Sequence, residues 1–154
     1  MLHRGWWRMC RKFRIRGNNL LVYLFLEAGP GGAGQYTGLY TVSIGDISDY
    51  TGLSDKDVER SIAELQRTKH IVYDPRKQVV FVIGMLARQS PNYSSSENSI
   101  QGVVNHVMRM PEGSIAVESF IKSQINNPEL YDLLEGYLEG DEEGDIEQTL
   151  DLRL

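Results

Sequence analysis

Cysteine is almost absent from this chain of 154 residues, in which Cys10 is the only one. A single cysteine excludes an intramolecular disulfide and a zinc site built from cysteines. Long apolar runs are lacking as well, because the run around Leu20–Leu26 is much shorter than the ~18–20 residues of a membrane span. The basic start also lacks the apolar stretch and cleavage site of a signal peptide. We therefore expect a cytoplasmic protein with no membrane partner.

Groups suited to catalysis are sparse. The three histidines are scattered along the chain, and His70, at the start of an expected strand, is interpreted as a packed residue. Cys10 has basic neighbours that could lower a thiol pKa, but no partner base is placed beside it. The acidic residues at 139–147 lack the spacing of a calcium loop. The sequence therefore predicts no enzyme, no metal site and no cofactor.

The glycine-rich loop GPGGAGQYTG follows a helix that is expected over Asn19–Ala28. Its Gly29, Gly31 and Gly34 match G-x-G-x-x-G, but a dinucleotide fold needs a strand before that motif and a helix after it. Here the helix comes first, and the strand-like LYTVS follows the loop. We interpret the loop as a flexible connection and not as a nucleotide site.

The net charge of −5 hides a division of the chain into a basic and an acidic part. Residues 1–90 carry 13 Lys and Arg against 8 Asp and Glu, whereas residues 91–154 carry 3 against 13. Such an asymmetry indicates a basic part that meets nucleic acid, followed by an acidic tail. The acidic half is equally consistent with a solvated helical surface.

The order of the expected elements indicates the fold. A helix and a short strand are followed by two tightly joined helices, about 44–51 and 55–68, with Gly52 at the turn between them. Two β-rich runs, HIVY and QVVFVI, then form a hairpin, whose Asp74-Pro75-Arg76-Lys77 connection suits a type I turn. This order is that of a winged helix-turn-helix. We thus predict an α+β, mainly α protein that consists of a winged helix-turn-helix with a C-terminal helical extension.

The remaining sequence completes the predicted domain organisation. Polar, serine-rich residues 89–99 are expected to form a linker. Apolar periodicities after it predict three helices, of which Asn127-Pro128 opens the last. The predicted units are a basic N-terminal segment 1–17, the winged helix-turn-helix domain 18–88, the linker 89–99, the helical extension 100–139 and an acidic, mobile tail 140–154.

The second helix of the tight pair carries a candidate DNA-binding ridge. At ~100° per residue its apolar side chains fall on one face. The opposite ridge consists of Lys56, Arg60, Ala63 and Arg67. Arginine can contact guanine edges bidentately, both cations can hold phosphates, and alanine can touch a thymine methyl. Because acidic residues flank the ridge, an ordinary solvated face with i,i+4 ion pairs is the alternative interpretation.

Further candidate DNA contacts lie outside that helix. Arg76 and Lys77 at the tip of the hairpin are placed to reach backbone phosphates. The N-terminal segment adds Arg8, Arg11, Lys12, Arg14 and Arg16. Trp6 and Trp7 lie among these cations, a mixture that suits single-stranded DNA because bases stack and phosphates pair. Alternatively, the tryptophans pack onto the core while the cations stay solvated.

Several stretches resemble one family. GWWRMCRKF with LLVYLFLEA, ISDYTGLSDKDVERSIAELQRTKHIVYD, and VVFVIGMLARQSPN resemble the opening, the winged-helix core and the exit segment of phage-encoded replication proteins of the DnaD-like replisome-organiser type. GVVNHVMRMPEGSIAVESF is similar to the segment after the core in some relatives, so the likeness covers about residues 5 to 125. The resemblance implies DNA binding in replication initiation in the cytoplasm of a bacterial host. It also implies self-association and contact with a replicative helicase or its loader.

These features support two classes of function. In the first, the chain is a DNA-binding protein of phage replication initiation, with helix 55–68 in the major groove and wing 74–77 on phosphates; a transcriptional regulator is a variant of this class. In the second, the winged helix is a protein-interaction module that self-associates or engages a replicative helicase or a repressor.

Overall fold

Most of the described chain is helical, with one small antiparallel sheet, which confirms the α+β, mainly α class. The computed structural model describes residues 4–29, 34–93 and 96–138. Within these ranges the helices are α1 (Arg4–Lys12), α2 (Asn18–Ala28), α3 (Ile44–Thr51), α4 (Asp55–Arg67), α5 (Met85–Gln89), α6 (Glu97–Met108), α7 (Ile115–Ser123) and α8 (128–138). The strands are β1 (Leu39–Thr41), β2 (Ile71–Asp74) and β3 (Val79–Val82).

β3 is the central strand of the sheet, since the strand order is β1-β3-β2 and both pairings are antiparallel. β2 and β3 form the predicted hairpin, in which Asp74 lies opposite Val79 at the base of the connection 75–78. Gln78 has a left-handed backbone with φ 55°, a conformation that closes hairpin connections of this length. Consecutive β3 side chains point to opposite faces, and all of them are buried. The sheet is therefore covered on both sides.

One face of the sheet packs against the first four helices. Val80 and Val82 of β3 point into this core. The tight α3–α4 pair contributes Ile47 and Val58, both fully buried, and Leu53 packs against them at the turn. The largest buried side chains from α1 and α2 are Trp6, Tyr23 and Leu26. Ile47, Leu53 and Val58 thus anchor the helix pair in the core.

The other face of the sheet is covered by α6, α7 and α8. Val79 and Phe81 of β3 point into this second core, where the rings of Phe81 and Phe120 meet edge to face with centroids 5.4 Å apart. Residues 89–99, expected to be a linker, contain the end of α5 and the start of α6 at Glu97. The helices of the predicted extension therefore share the sheet with the rest of the fold.

A buried ion pair joins α2 to α5. The side chain of Glu27 is 0% exposed, and its carboxylate accepts hydrogen bonds of 2.9 Å from both Nε and Nη2 of Arg88. Nη1 of Arg88 also donates to the Ile83 carbonyl at 3.1 Å. Burial lowers the pKa of Arg88, but the hydrogen bond to Glu27 and the charge of Glu27 raise it by a larger amount. The pKa of Arg88 therefore lies above its ordinary value. The guanidinium is therefore charged, and Glu27 and the Ile83 carbonyl accept hydrogen bonds that water would accept at the surface.

Two sequence-based expectations differ from the structure. The basic N-terminal segment contains a helix, α1, although none was expected there. α2 begins at Asn18 and not at the expected Asn19. Ile125 is 65% exposed because it follows the end of α7 at Ser123. The predicted acidic tail 140–154 lies outside the described residues.

A search of the described residues for a membrane-spanning helix finds none that is long and apolar enough to cross a bilayer.

Candidate nucleic-acid interface

The corner between α3 and α4 is fixed by local hydrogen bonds. Gly52 ends α3 in the left-handed region with φ 75°, and its N–H donates to the Ser48 carbonyl. Most side chains are strained at that φ, which explains the glycine at this turn. Ser54 caps α4 by accepting from the Asp57 N–H at 3.2 Å, as expected from the sequence. The Ser48 hydroxyl also donates to Asp55, which ties the two helices together.

The ridge of α4 lies on the surface. Its opposite face is held in the core by Val58, Ile62 and Leu65. Because those three are buried, the ridge side chains are exposed, namely Lys56, Arg60, Ala63 and Arg67. Helical periodicity in the sequence therefore predicts the buried and exposed faces of α4 correctly.

The ridge arginines are paired with acids on their own helix. Arg60 lies 3.6 Å from Asp57, and Nε of Arg67 donates to Glu64 at 2.9 Å. The hydrogen bond from Arg67 lowers the pKa of Glu64, and the same bond raises the pKa of Arg67. Both pairs are at the surface, where water and salt screen them. They neutralise the ridge locally while leaving the arginines accessible to a competing partner.

The tip of the hairpin is held in place by Asp74. Its Oδ1 accepts from the backbone N–H groups of Arg76 and Lys77 at 3.0 and 3.1 Å, and its Oδ2 accepts from the Ile115 N–H at 3.1 Å. The same carboxylate therefore shapes the turn and caps the start of α7. The side chains of Arg76 and Lys77 remain exposed. The sequence predicts Asp74 in the turn, but no local pattern reveals its contact with Ile115, which lies 41 residues away.

Burial by itself raises the pKa of Asp74, but hydrogen bonds from Lys77, Ser114, Ile115 and Arg76 more than offset it, and the pKa lies below its ordinary value. A carboxyl with a depressed folded-state pKa stabilises the fold above its unfolded pKa, and that stabilisation is lost as the pH falls through the folded pKa.

We expect Asp74→Asn to lower the free energy of unfolding at pH 7 by about 1–3 kcal/mol, because the uncharged amide is a weaker acceptor with only one oxygen. The difference from wild type should shrink as the pH falls below ~4, where the carboxyl of the unfolded chain protonates, and shrink further as the pH falls through the lower folded pKa. Urea denaturation of both proteins from pH 7 to pH 3 measures this. Asp132→Asn, on the exposed side of α8, is the control and should leave stability unchanged. A constant difference at every pH would show that the charge of Asp74 is unimportant.

The hairpin is also fixed relative to α4. The Tyr73 N–H donates to Oε1 of Gln66 on α4 at 2.9 Å, and the Tyr73 hydroxyl donates to the Val42 carbonyl at 3.0 Å. Strand β2 has 4 residues, so it separates the end of α4 from the hairpin tip by ~13 Å at ~3.3 Å per residue. The ridge and the tip are therefore two parts of a rigid unit.

The two tryptophans of the N-terminal segment lie in different environments, one in the core and one at the surface. Trp6 is fully buried and meets Tyr23 edge to face at 5.2 Å, whereas Trp7 is 44% exposed. The five candidate cations of this segment are all on the surface: Arg8, Arg11, Lys12, Arg14 and Arg16, with Arg11 and Lys12 in the last turn of α1. The segment therefore presents cations to solvent and one tryptophan to the core.

Cys10 lies on the inner side of α1. It is 3% exposed, and burial, together with the charge of Glu27, raises the pKa of its thiol to about 11 although Arg88 acts in the opposite direction. The neighbouring cations Arg8, Arg11 and Lys12 are exposed and do not offset this rise in pKa. A thiol with so high a pKa is a poor nucleophile at neutral pH.

The end of α1 meets the end of α4. The ring of Phe13 lies 5.1 Å from that of His70, which is itself buried and 2.8 Å from the Thr68 hydroxyl. Burial, and then the charge of Arg88, lowers the pKa of His70, so the ring is neutral at pH 7. The residue after α1 therefore contacts the segment that joins α4 to β2.

Metal ligands do not cluster in the part of the chain that the structure describes, where no group of three His, Cys, Asp or Glu could hold an ion. No protein-family model, curated protein or solved structure matches the chain significantly.

Proposed function

We propose that this chain is a winged helix-turn-helix DNA-binding protein. The order α2, β1, α3, α4, β2, β3 and the strand order β1-β3-β2 suit that fold, with α4 as the recognition helix and residues 75–78 as the wing. The observation that carries the proposal is the exposed ridge of α4. One face of α4 is locked into the core while the other offers three cations and one small side chain to solvent.

In the proposed complex α4 lies in the major groove. Arg60 and Arg67 leave their acidic partners and contact base edges or phosphates. The two arginines can exchange their acidic partners for DNA because both ion pairs are at the surface and solvated before binding. Ala63, between them on the ridge, lets the helix backbone approach the groove. Arg76 and Lys77 contact phosphates from the wing, whose position is set by Asp74.

The process in which the protein acts is also part of the proposal. The resemblance of residues 5 to 125 to phage replication proteins supports a role in replication initiation, with self-association and contact with a replicative helicase or its loader. A bacterial host cytoplasm is the corresponding location.

The test is fluorescence anisotropy with labelled duplex DNA at two salt concentrations. We expect binding that weakens as salt rises, because cations on the protein displace counterions from phosphates. Absence of duplex binding at low salt, with random and with candidate origin sequences, would refute the proposal.

Arg76→Ala/Lys77→Ala is expected to weaken binding to all duplexes alike and to reduce the salt slope by about 1–2 units, since each phosphate contact contributes ~0.9. Titration of both proteins at a series of salt concentrations gives the slope. Arg109→Ala/Lys122→Ala removes two exposed cations from α6–α7, on the other side of the sheet, and should leave the slope unchanged. An unchanged slope in the wing variant would place the wing outside the interface.

A protein-interaction module is the second candidate function. The exposed sides of α2 and α3 carry an apolar patch, in which Tyr50 is 69% exposed and its ring lies 5.1 Å from that of Phe25. Leu21, one turn before Phe25, is 38% exposed. Apolar surface of this kind favours association with another protein. Light scattering of wild type and of Tyr50→Ser distinguishes this function, because loss of an oligomer in the variant would assign the patch to self-association.

A further inference from the structure

The cations of α1 lack the acidic neighbours that those of α4 possess. The sequence of α1, RGWWRMCRK, contains four cations and no acid, whereas α4, DKDVERSIAELQR, contains three cations and four acids. Among the residues that the structure describes, the ion pairs involve Arg60, Arg67, Arg88 and Lys122, and none of these lies on α1. Among the described residues, the cations of α1 are therefore less offset by acids than those of the ridge.

The exposed ring of Trp7 lies within this positive surface. Its centroid is 4.8 Å from that of Trp6 and the planes meet at 83°, so the two rings are in edge-to-face contact. Arg4 and Arg11 are three residues before and four residues after Trp7, and both neighbour it on the helix surface. A tryptophan that is 44% exposed between two arginines offers a ring face for stacking and cations for a phosphate backbone.

A second exposed ring follows at the end of the helix. Phe13 is 55% exposed, its ring meets that of His70 at a centroid distance of 5.1 Å, and Nζ of Lys12 lies 5.5 Å from its centroid. Trp7 and Phe13 are six residues apart, which corresponds to ~9 Å along a helix and ~120° around its axis, so a strand that stacks on both rings must wind partly around α1. Aromatic faces interleaved with cations are the usual elements of sites that hold a single strand.

We propose that α1 and Phe13 form a binding site for single-stranded DNA. Trp7 and Phe13 stack on unpaired bases, while Arg4, Arg8, Arg11 and Lys12 contact phosphates. Duplex DNA fits this surface less well, because its bases are already stacked and would leave both rings in water. This site rests on the proposed function and adds single-stranded DNA to duplex DNA as a ligand. It uses no residue of α4 or the wing.

An anionic membrane surface is the main competitor for such a helix, and the packing of α1 argues against it. Amphipathic helices bind bilayers by burying their apolar face in the lipid. The apolar face of α1 is occupied, since Trp6 and Cys10 are in the protein core. In the described part of this segment, Trp7 and Phe13 are the large apolar side chains that stay exposed and could insert.

The test uses the intrinsic tryptophan fluorescence of the full chain with oligo(dT) of 15 nucleotides. We expect quenching, because Trp7 stacks on a base, whereas buried Trp6 cannot. Trp7→Ala should weaken oligo(dT) binding by roughly 5- to 150-fold, the loss associated with one stacked base. Trp7→Phe keeps a ring and should restore most of the affinity. Duplex affinity should change by less than about twofold in both variants.

The charge variants separate this site from the ridge. Arg4→Ala/Arg11→Ala should reduce the salt slope for oligo(dT) by about 1.4, at ~0.7 per phosphate contact on a single strand. Arg60→Glu/Arg67→Glu should leave oligo(dT) binding intact, even if duplex binding is lost. If wild type binds oligo(dT) but not duplex, the proposal for α4 fails and this one stands.

Three results would overturn the single-strand site. The first is equal oligo(dT) affinity of wild type and Trp7→Ala. The second is an equal loss of duplex and single-strand affinity in Trp7→Ala. The third is quenching by vesicles of phosphatidylglycerol without quenching by oligo(dT). Circular dichroism shows whether Trp7→Ala is folded; if it is not, an unchanged salt slope in Arg4→Ala/Arg11→Ala refutes the site by itself.

Discussion

Arg60→Glu/Arg67→Glu is expected to abolish duplex DNA binding while the protein stays folded. The two side chains are 79% and 70% exposed and face away from the core, so their reversal removes no packing. A lost bidentate base contact weakens binding by roughly 5- to 150-fold. Two such losses, together with two new negative charges facing phosphates, should lower affinity below the measurable range in anisotropy titrations.

Arg109→Glu/Lys122→Glu is the matched control for this charge reversal. It changes the net charge by the same amount but lies at the surface of α6–α7, on the other side of the sheet. We expect it to bind duplex DNA within a few-fold of wild type. Light scattering of both variants completes the design. Duplex binding that survives reversal of the ridge, combined with a fall in molecular mass, would favour the protein-interaction module.

Glu27→Ala is expected to lower the free energy of unfolding by about 3–5 kcal/mol, since it leaves the Arg88 guanidinium buried without its partner. The carboxylate is fully buried and makes two 2.9 Å hydrogen bonds to Arg88, so water cannot take its place without opening the contact between α2 and α5. Urea denaturation at pH 7 measures the loss.

Two further variants show whether the charge is the cause. Glu27→Leu/Arg88→Met replaces the pair by apolar side chains and should recover most of the stability, because no unpaired charge remains. Glu118→Ala breaks the exposed pair with Lys122 on α7 and should cost at most about 1 kcal/mol. If the double variant is as unstable as Glu27→Ala, lost packing and not the unpaired charge causes the effect.

The parts of the fold predicted well from the sequence are those with local signals. The α3–α4 corner has Gly52 at the end of α3 and Ser54 at the cap of α4. The hairpin has runs of β-branched and aromatic residues on both sides of Asp74-Pro75. The outward ridge of α4 follows from helical periodicity alone. Each of these features is decided by residues within a few positions of one another.

The features that were missed depend on contacts distant in sequence, with one exception. The bonds from Arg88 to Glu27 and from Ile115 to Asp74 join residues 61 and 41 positions apart, which no local pattern reveals. α1 is the exception. Trp6, Met9, Cys10 and Phe13 follow the i, i+3, i+4, i+7 spacing of an amphipathic helix, which the high charge of the segment concealed.

The central position of β3 limits how far the chain can be shortened in a stable fragment. A fragment ending at residue 88, at the predicted domain boundary, would keep the hairpin but lose α6, α7 and α8. Leu39, Val79 and Phe81 would then face water on the side of the sheet that those helices cover. Three adjoining apolar side chains on a sheet of three strands form a surface on which two copies of the fragment would aggregate. An expression clone for the proposed DNA-binding part should therefore extend at least to the end of α8.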